Sequence, residues 1–211
     1  MEKAALDALT KRVEAETGAK ARAKGYDGLV DVAKSLTHKH EDVMRLLRKA
    51  VPSPLCKTAR ILAPDSNPTR KFYAWCAAKG FAWLVGECEP VEVQEQGTSY
   101  SAVKMKKCKF LSESGCAAMC CSVCKMPTQE FLAEDLGIPT TMRPNFEDMS
   151  CEMIFGLPPL PAEEDPAMCV PCLAECKLTG DDKRFAQQEI CSPQEECSNN
   201  AEALATGHRA K

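Results

Sequence analysis

Apolar residues in the first half of the chain recur at helical spacing. Leu6, Leu9 and Val13 lie on one face of a predicted first helix. Asp27 is a suitable N-cap for a second helix, and Pro52 ends a third. The same period places apolar residues on one face within segments 29–36 and 43–50, which are the second and third helices, and within 55–62, a fourth helix. This part of the chain is therefore predicted to be helical.

The stretch from Phe72 to Val85 differs from these helices because it has no polar face. Lys79 is its only charged residue, and Ser66 and Pro68 provide a helix start. A helix that is apolar all round is normally buried, and this one is too short to span a bilayer. We predict a central core helix. A compatible alternative is that its aromatic side chains wall a pocket for a long apolar ligand: Phe72, Trp75, Phe81 and Trp83.

Beyond Gly86 the pattern becomes that of strands. Val91 and Val93 alternate with polar residues, Gly97 follows, and the segment 103–110 looks extended, which predicts a β-hairpin. Short helices are expected around 116–124 and 128–136, with a strand at 140–142. The expected fold class is α+β, mainly helical at first, then a small β-hairpin and a cysteine-rich part. The predicted single domain covers 1–177, with a helical part at 25–85, a hairpin and cysteine-rich part at 86–177, and a loose polar tail at 178–211.

Charge and hydropathy exclude several classes of partner. The net charge of −3 gives no global reason to expect binding to nucleic acid or to an anionic membrane surface. No apolar run reaches the roughly 18 residues of a transmembrane helix. The first residues have no apolar signal region and are too acidic for a transit peptide. We therefore expect either a cytosolic protein or one whose targeting segment is not part of this sequence.

Cysteine is the unusual residue of this composition. There are 14 cysteines, and nine of them fall between Cys108 and Cys176. The three histidines, at positions 38, 40 and 208, lie far from that group in sequence. An iron site with two histidines and one carboxylate would need two of them. If a metal is bound, thiolates must therefore supply most of its ligands.

The spacing of the cysteines is compatible with a metal but does not prove one. Cys116, Cys120 and Cys124 would form one stripe on a helix, although three such residues span roughly 12 Å, too far for one ion unless the helix is distorted or a cluster is bound. Alternatively, Cys116, Cys121 and Cys124 match the plant-type ferredoxin spacing, with Cys151 as the distant fourth ligand. Zinc, disulfides and buried free thiols remain alternatives.

Other residues could complete such a site or be unrelated to it. Glu147 and Asp148 precede Cys151 and are candidates for a direct ligand, for orienting a ligand, or for a solvated turn. A later group, Cys169, Cys172 and Cys176, could belong to the site, hold another metal or form a disulfide. Among apolar residues, three cysteines are interpreted as structural: Cys56, Cys76 and Cys88.

Several ordered motifs resemble a known family. The segments are Lys107–Leu111, Ser114–Cys116, Cys120, Cys124–Gln129 and Pro144–Gly156, with weaker likeness at Gly25–Val30 and Trp83–Cys88. They are similar to the plastid β-carotene isomerases of strigolactone biosynthesis, the "dwarf twenty-seven" family. The resemblance implies an iron-containing chloroplast protein. It implies Cys108, Cys116, Cys120, Cys124 and Cys151 as the matching cysteines and leaves Cys121 outside the pattern.

The resemblance also implies an activity. We expect an iron-dependent carotenoid cis/trans isomerase, with all-trans/9-cis-β-carotene as the first choice of substrate. Because carotenoids reside in membranes, we expect peripheral contact with plastid membranes. Two competing hypotheses are a non-catalytic cysteine-rich iron–sulfur or zinc module and an electron carrier.

Overall fold

The computed structural model describes residues 2–37, 39–168 and 170, which form the expected α+β fold. Helices and strands follow the predicted order, although several boundaries differ. The helices are α1 Glu2–Thr17, α2 Gly25–Ala33, α3 His40–Ala50, α4 Ser53–Leu62, α5 Asn67–Gly80, α6 Ala82–Val85, α7 Lys109–Ser114, α8 Ala117–Met119, a π-helix Cys120–Lys125, and α9 Met126–Glu134. The strands are β1 Cys88–Glu95, β2 Thr98–Met105, β3 Thr140–Pro144 and β4 Cys151–Phe155.

One antiparallel sheet of four strands, in the order β1-β2-β4-β3, supports the second half of the described chain. The predicted hairpin is confirmed: Gln96 and Gly97 connect β1 to β2, both with positive φ, as a tight two-residue turn requires. The extended segment, however, ends at Met105, and α7 begins at Lys109. The predicted strand at 140–142 is confirmed as β3, whereas β4 was not predicted from the sequence.

Helix α5 lies across this sheet, but it is not the buried core helix that its apolar sequence suggests. Its small residues Ala74 and Ala78 face inward and pack with Val103, Ile138 and Phe155. Phe72 and Trp75 therefore point outward, whereas Tyr73 is partly buried against the same cluster, and the helix ends at Gly80 rather than at Val85. The prediction of a buried helix is wrong because alanine, and not the aromatics, provides the close contact with the sheet.

A second apolar cluster joins the first three helices. Its buried members come from α1, α2, α3 and the 3₁₀ turn that follows α2: Leu6, Val13, Leu29, Val32, Leu36 and Val43. Trp83 of α6 packs against this cluster and is partly buried. The predicted tail at 178–211 lies outside the described residues. None of the helices in the described ranges is long and apolar enough to cross a membrane.

Two isoleucines test this assignment of core and surface. Ile154 of β4 is 0% exposed, whereas Ile61 of α4 is 78% exposed. We expect Ile154→Ala to lower the free energy of unfolding by about 2–5 kcal/mol, because it leaves a cavity. Ile61→Ala should change it by less than about 0.5 kcal/mol. Urea unfolding followed by circular dichroism measures both, and equal losses would contradict the fold.

Candidate metal centre

Five predicted ligands are brought into one apolar cluster by separate elements of the fold. Cys151 begins β4, Cys108 precedes α7, Cys116 precedes α8, and Cys120 and Cys124 lie in the π-helix. Four of these thiols are buried in the cluster and Cys124 packs against it, partly buried. The backbone N–H of Cys108 donates to the Met149 carbonyl at 2.6 Å, which ties the loop before β4 to the start of α7. The fold therefore collects thiols that are up to 43 residues apart in sequence.

The helical segment that carries Cys120 and Cys124 is not a regular α-helix. A metal site shared by Cys116, Cys120 and Cys124 would require such a distortion. Residues Cys120–Lys125 form a π-helix between α8 and α9. Pro127 follows at the start of α9, and it has no N–H with which to close the α-helical hydrogen bond to the Val123 carbonyl. π-helical turns are rare and are frequent at functional sites. The ideal α-helical separation of Cys116 and Cys124 therefore does not apply here.

The thiols of the cluster are held in their neutral form by burial and by one another. Burial raises the pKa of Cys108. Burial, and then proximity to Cys108 and Cys121, raises the pKa of Cys124 to about 12. Burial, followed by the nearby Cys124 and Cys108, raises the pKa of Cys151 well above its ordinary value. Several thiolates could coexist in this space only beside a compensating positive charge.

Cys121 behaves differently from its neighbours. The hydrogen bond between Cys120 and Cys121, and then the positive charge of Lys125, lower the pKa of Cys121, whereas the same bond and burial raise the pKa of Cys120. The Cys121 thiol lies 3.2 Å from the Ala167 carbonyl, so it contacts the segment after β4. Cys121 is therefore buried beside the cluster but has a partner of its own.

Lys125 is the last residue of the π-helix and is buried, which sequence reasoning did not predict. Only 2% of its surface is exposed. Its ammonium group donates to the Met142 carbonyl at 2.6 Å and forms an ion pair with Asp165, also at 2.6 Å. These contacts fasten the π-helix to β3 and to the segment that precedes Ala167. A buried lysine is tolerated only when it is paired in this way.

Tyr26 is a second residue of the site that sequence reasoning did not single out. Its hydroxyl donates to the Leu84 carbonyl at 2.5 Å, and the Lys109 ammonium lies 4.5 Å from its ring centroid. Burial, and then the proximity of Cys108 and Cys124, raises its pKa. The available signal was that Tyr26 lies in one of the motifs of the family resemblance. Five methionines surround the thiols as well: Met105, Met119, Met142, Met149 and Met153.

The structure separates the remaining candidates from this cluster. Glu147 and Asp148 lie on an exposed turn, where the Ser150 side chain and backbone lower the pKa of Asp148, which favours the interpretation as a solvated turn. Cys88 packs against the cluster, while Cys56 is buried elsewhere beside Met44 and Phe131. His40 bonds to Glu130 at 2.7 Å. Five candidates fall outside the described residues: His38, His208, Cys169, Cys172 and Cys176.

The cluster is a collection of thiols rather than a finished coordination sphere. Within residues 2–37, 39–168 and 170, no three side chains of Cys, His, Asp or Glu stand in an arrangement that could hold a metal ion. Soft, buried thiol ligands nevertheless fit iron, iron–sulfur clusters or zinc by their chemistry. The ligand set Cys108, Cys116, Cys120, Cys124 and Cys151 stays a prediction.

Lys125 and Asp165 line a cavity of about 620 Å³. Its other walls include Tyr100 and Thr141 from the sheet and residues of the proline-rich segment 157–167. This volume is in the range of ligand pockets. Phe72, Trp75, Phe81 and Trp83 do not line it, and the first three are more than half exposed. Their predicted role as a pocket wall stays a prediction.

Two lysine ion pairs of similar length allow a matched test of this arrangement. Lys125–Asp165 is buried at 2.6 Å, whereas Lys71–Glu92 is exposed at 2.8 Å. We expect Lys125→Met to lower the free energy of unfolding by about 3–5 kcal/mol, because it leaves a buried carboxylate unpaired. Adding Asp165→Asn should recover much of that loss. Lys71→Met should have little effect on urea unfolding, and an equally small effect of Lys125→Met would refute the buried pair.

Known proteins resemble this chain over most of its length. Residues 83–164 match the family described as "Beta-carotene isomerase D27-like, C-terminal". The chain is 38% identical over 183 residues to "Beta-carotene isomerase D27, chloroplastic" of Medicago truncatula, and the aligned region covers 83% of this chain and 73% of that protein. It is 37% identical over 184 residues to the protein of the same name from Arabidopsis thaliana, covering 83% of this chain and 70% of that one. No solved structure matches it. On this identity and coverage, the chain belongs to the β-carotene isomerase D27-like family.

Proposed function

We propose that this protein is a chloroplast carotenoid cis/trans isomerase that depends on iron. Its proposed reaction is the interconversion of all-trans- and 9-cis-β-carotene in strigolactone biosynthesis. The observation that carries the proposal is the buried cluster of family-matching cysteines, in a chain 38% identical to a protein named β-carotene isomerase.

The electrostatics of the cluster support a bound cation. Burial raises the pKa values of Cys108, Cys124 and Cys151, and Cys108 raises those of Cys124 and Cys151 further, so a bound positive charge would favour replacement of the protons. Iron is proposed to be held by a subset of Cys108, Cys116, Cys120, Cys124 and Cys151. When bound through thiolates, it supplies one-electron exchange at a potential set by its ligands, hydrogen bonds and burial.

The chain's own residues would position the substrate and exclude water. Rotation about a polyene double bond is slow because the π overlap must be lost, and it involves no net oxidation or reduction. The 620 Å³ cavity beside Lys125 is a candidate for one part of the polyene, since two leucines and three prolines form an apolar part of its wall, beside the charged residues Glu95, Lys125, Arg143 and Asp165. The Lys125–Asp165 pair would keep that wall fixed against the π-helix.

The substrate also determines where the protein works. A carotenoid is nearly insoluble in water and resides in lipid bilayers. We therefore propose peripheral contact with plastid membranes. The described helices give no membrane span, so the protein would meet the bilayer from its surface.

The iron ligands can be identified by single substitutions. Cys→Ser at positions 108, 116, 120, 124 and 151 should lower the iron content of anaerobically purified protein, because a hydroxyl replaces a thiolate ligand. Cys56→Ser is the matched control, since Cys56 is 2% exposed but lies in another apolar cluster. Iron is measured by elemental analysis and folding by circular dichroism. Full iron in folded Cys116→Ser and Cys124→Ser proteins would refute the ligand set.

The reaction is tested with defined carotenoid isomers. Iron-loaded protein should convert all-trans-β-carotene to the 9-cis isomer and back, with little conversion of 13-cis or 15-cis isomers, as followed by chromatography. Protein stripped of iron should be inactive and should recover on reloading. If every isomer emerges unchanged while iron is present, the alternative of a non-catalytic metal module replaces the isomerase.

A further inference from the structure

The exposed apolar surface of this protein is concentrated in one short stretch of chain. Seven large hydrophobic side chains are prominently exposed in the described residues, and all but Leu160 lie between positions 55 and 81. They come from α4, from α5 and from the residue after α5: Leu55, Ile61, Leu62, Phe72, Trp75 and Phe81. We propose that the outward face of α5, which carries Lys71, Phe72, Trp75 and Lys79 and is called the aromatic face below, docks the protein on an anionic lipid bilayer.

The aromatic face is built to point away from the protein. The rings of Phe72 and Trp75 are stacked, with centroids 6.5 Å apart and an interplanar angle of 24°. These side chains are 58% and 55% exposed. On the opposite side of the same helix, Ala74 and Ala78 are buried against the sheet. The rings cannot turn inward without lifting α5 from the sheet, so their exposure is fixed by the packing.

Lysines lie among these rings on the same helical face. Residues 71, 75 and 79 are spaced four apart and therefore follow one another along the helix. Both Lys71 and Lys79 are exposed. Lysine can lay its aliphatic stem on apolar surface while its ammonium group reaches upward to lipid phosphates. Aromatic rings at the level of the headgroups with lysines beside them are typical of helices that lie in a membrane interface.

The charge of this region is opposite to that of the whole protein. Between residues 53 and 82 there are five basic residues and one acidic residue, a net charge of +4, whereas the full chain carries −3. The single acidic residue, Asp65, is paired with Arg70 at 2.6 Å. The remaining cations, Lys57, Arg60, Lys71 and Lys79, are exposed, and Lys71 also forms an exposed ion pair with Glu92 of β1 at 2.8 Å. A local positive charge beside exposed aromatics complements a lipid surface that carries negative charge.

A bilayer fits this face better than a second protein does. Lysine is depleted from protein–protein interfaces, whereas here it alternates with the aromatic residues. Helix α5 has 14 residues, about 21 Å by the helical rise, and is too short to cross a bilayer. It would therefore lie along the surface. The proposed function gives this contact its purpose, since the polyene must be taken from lipid, but lipid binding can be measured without any substrate.

The first experiment measures binding of the iron-loaded protein to vesicles. Sedimentation with phosphatidylcholine vesicles that contain about one third phosphatidylglycerol should retain the protein far better than phosphatidylcholine alone. Phe72→Ser/Trp75→Ser and, separately, Lys71→Gln/Lys79→Gln should each weaken binding by about tenfold or more at low salt. The matched controls are Lys3→Gln/Lys11→Gln on the exposed part of α1 and Leu160→Ser, which should bind normally. Equal binding by all variants would overturn the proposal.

Tryptophan fluorescence provides a local readout of the same contact. The chain has two tryptophans, so Trp83→Phe leaves Trp75 as the reporter. Its emission should shift to the blue on addition of anionic vesicles and should be quenched by lipids brominated near the headgroup. An unchanged spectrum while the protein sediments with vesicles would place the contact elsewhere. Concentration-dependent dimers that disappear in the aromatic variant, without vesicle binding, would assign the face to a second copy of the chain.

Activity measurements separate this proposal from the proposed function. The Phe72→Ser/Trp75→Ser protein should lose isomerisation of β-carotene in vesicles but keep it in detergent, because there the protein does not have to bind a bilayer. Vesicle binding without isomerisation in either medium would overturn the isomerase while supporting the docking surface. Isomerisation of vesicle-borne carotene at the native rate by the non-binding variant would overturn the docking surface alone.

Discussion

A buried ammonium group joins the segments that enclose the cysteines. Lys125 ends the π-helix, bonds to the Met142 carbonyl of β3 and pairs with Asp165 in the segment after β4. Two of these segments carry or contact a thiol: the π-helix carries Cys120 and Cys124, and the Asp165 segment reaches Cys121 through Ala167. A charge this deep must be neutralised locally. The need to pair it therefore fixes how a helix, a strand and a loop meet.

The thiols impose a second constraint on the same region. Burial raises their pKa values, and Cys108 is close enough to raise those of Cys124 and Cys151 further. Folding can assemble such a group as neutral thiols at little electrostatic cost, because no charge has to be buried. Deprotonation is different, since several negative charges would share an apolar space. The protein chain alone thus folds around a group of thiols whose charged form needs a partner of positive charge.

Sequence reasoning predicted elements well where one rule decided them, and it failed where residue size or burial mattered. The hairpin followed from alternation and Gly97, and a helix at α9 was predicted from the Gly137 that follows it. The start of α5 was predicted from Ser66 and Pro68, but the prediction of a helix buried all round was wrong, because a hydrophobicity pattern does not reveal that two alanines make the close contact. Strand β4 was missed because its residues, Cys151–Phe155, show no regular alternation of polar and apolar side chains.

The candidate site was predictable only as a set of residue types. Cysteine spacing and the motif resemblance named thiols that the structure places in one cluster. Lys125 was not predictable, since a lysine on a helix is normally exposed and nothing in its neighbours marks it as paired with Asp165, forty residues away. Tyr26 was hidden for a similar reason, because its contacts with Lys109 and the Leu84 carbonyl join distant parts of the chain.

The π-helix has a consequence for the rest of the helix to which it belongs. A π-turn holds about one residue more than an α-turn, so the residues beyond it are rotated in phase by roughly one residue's share of a turn, about 100°. After the π-helix, Gln129 accepts a hydrogen bond from the Met142 backbone at 2.7 Å, and Phe131 packs with Met44 and Cys56. The continuous helical segment 117–134 can thus direct the side chains of its first turns toward the thiols and those of its last turns toward the cluster of Met44 and Cys56. The extra residue of the π-turn sets the angle between these two faces.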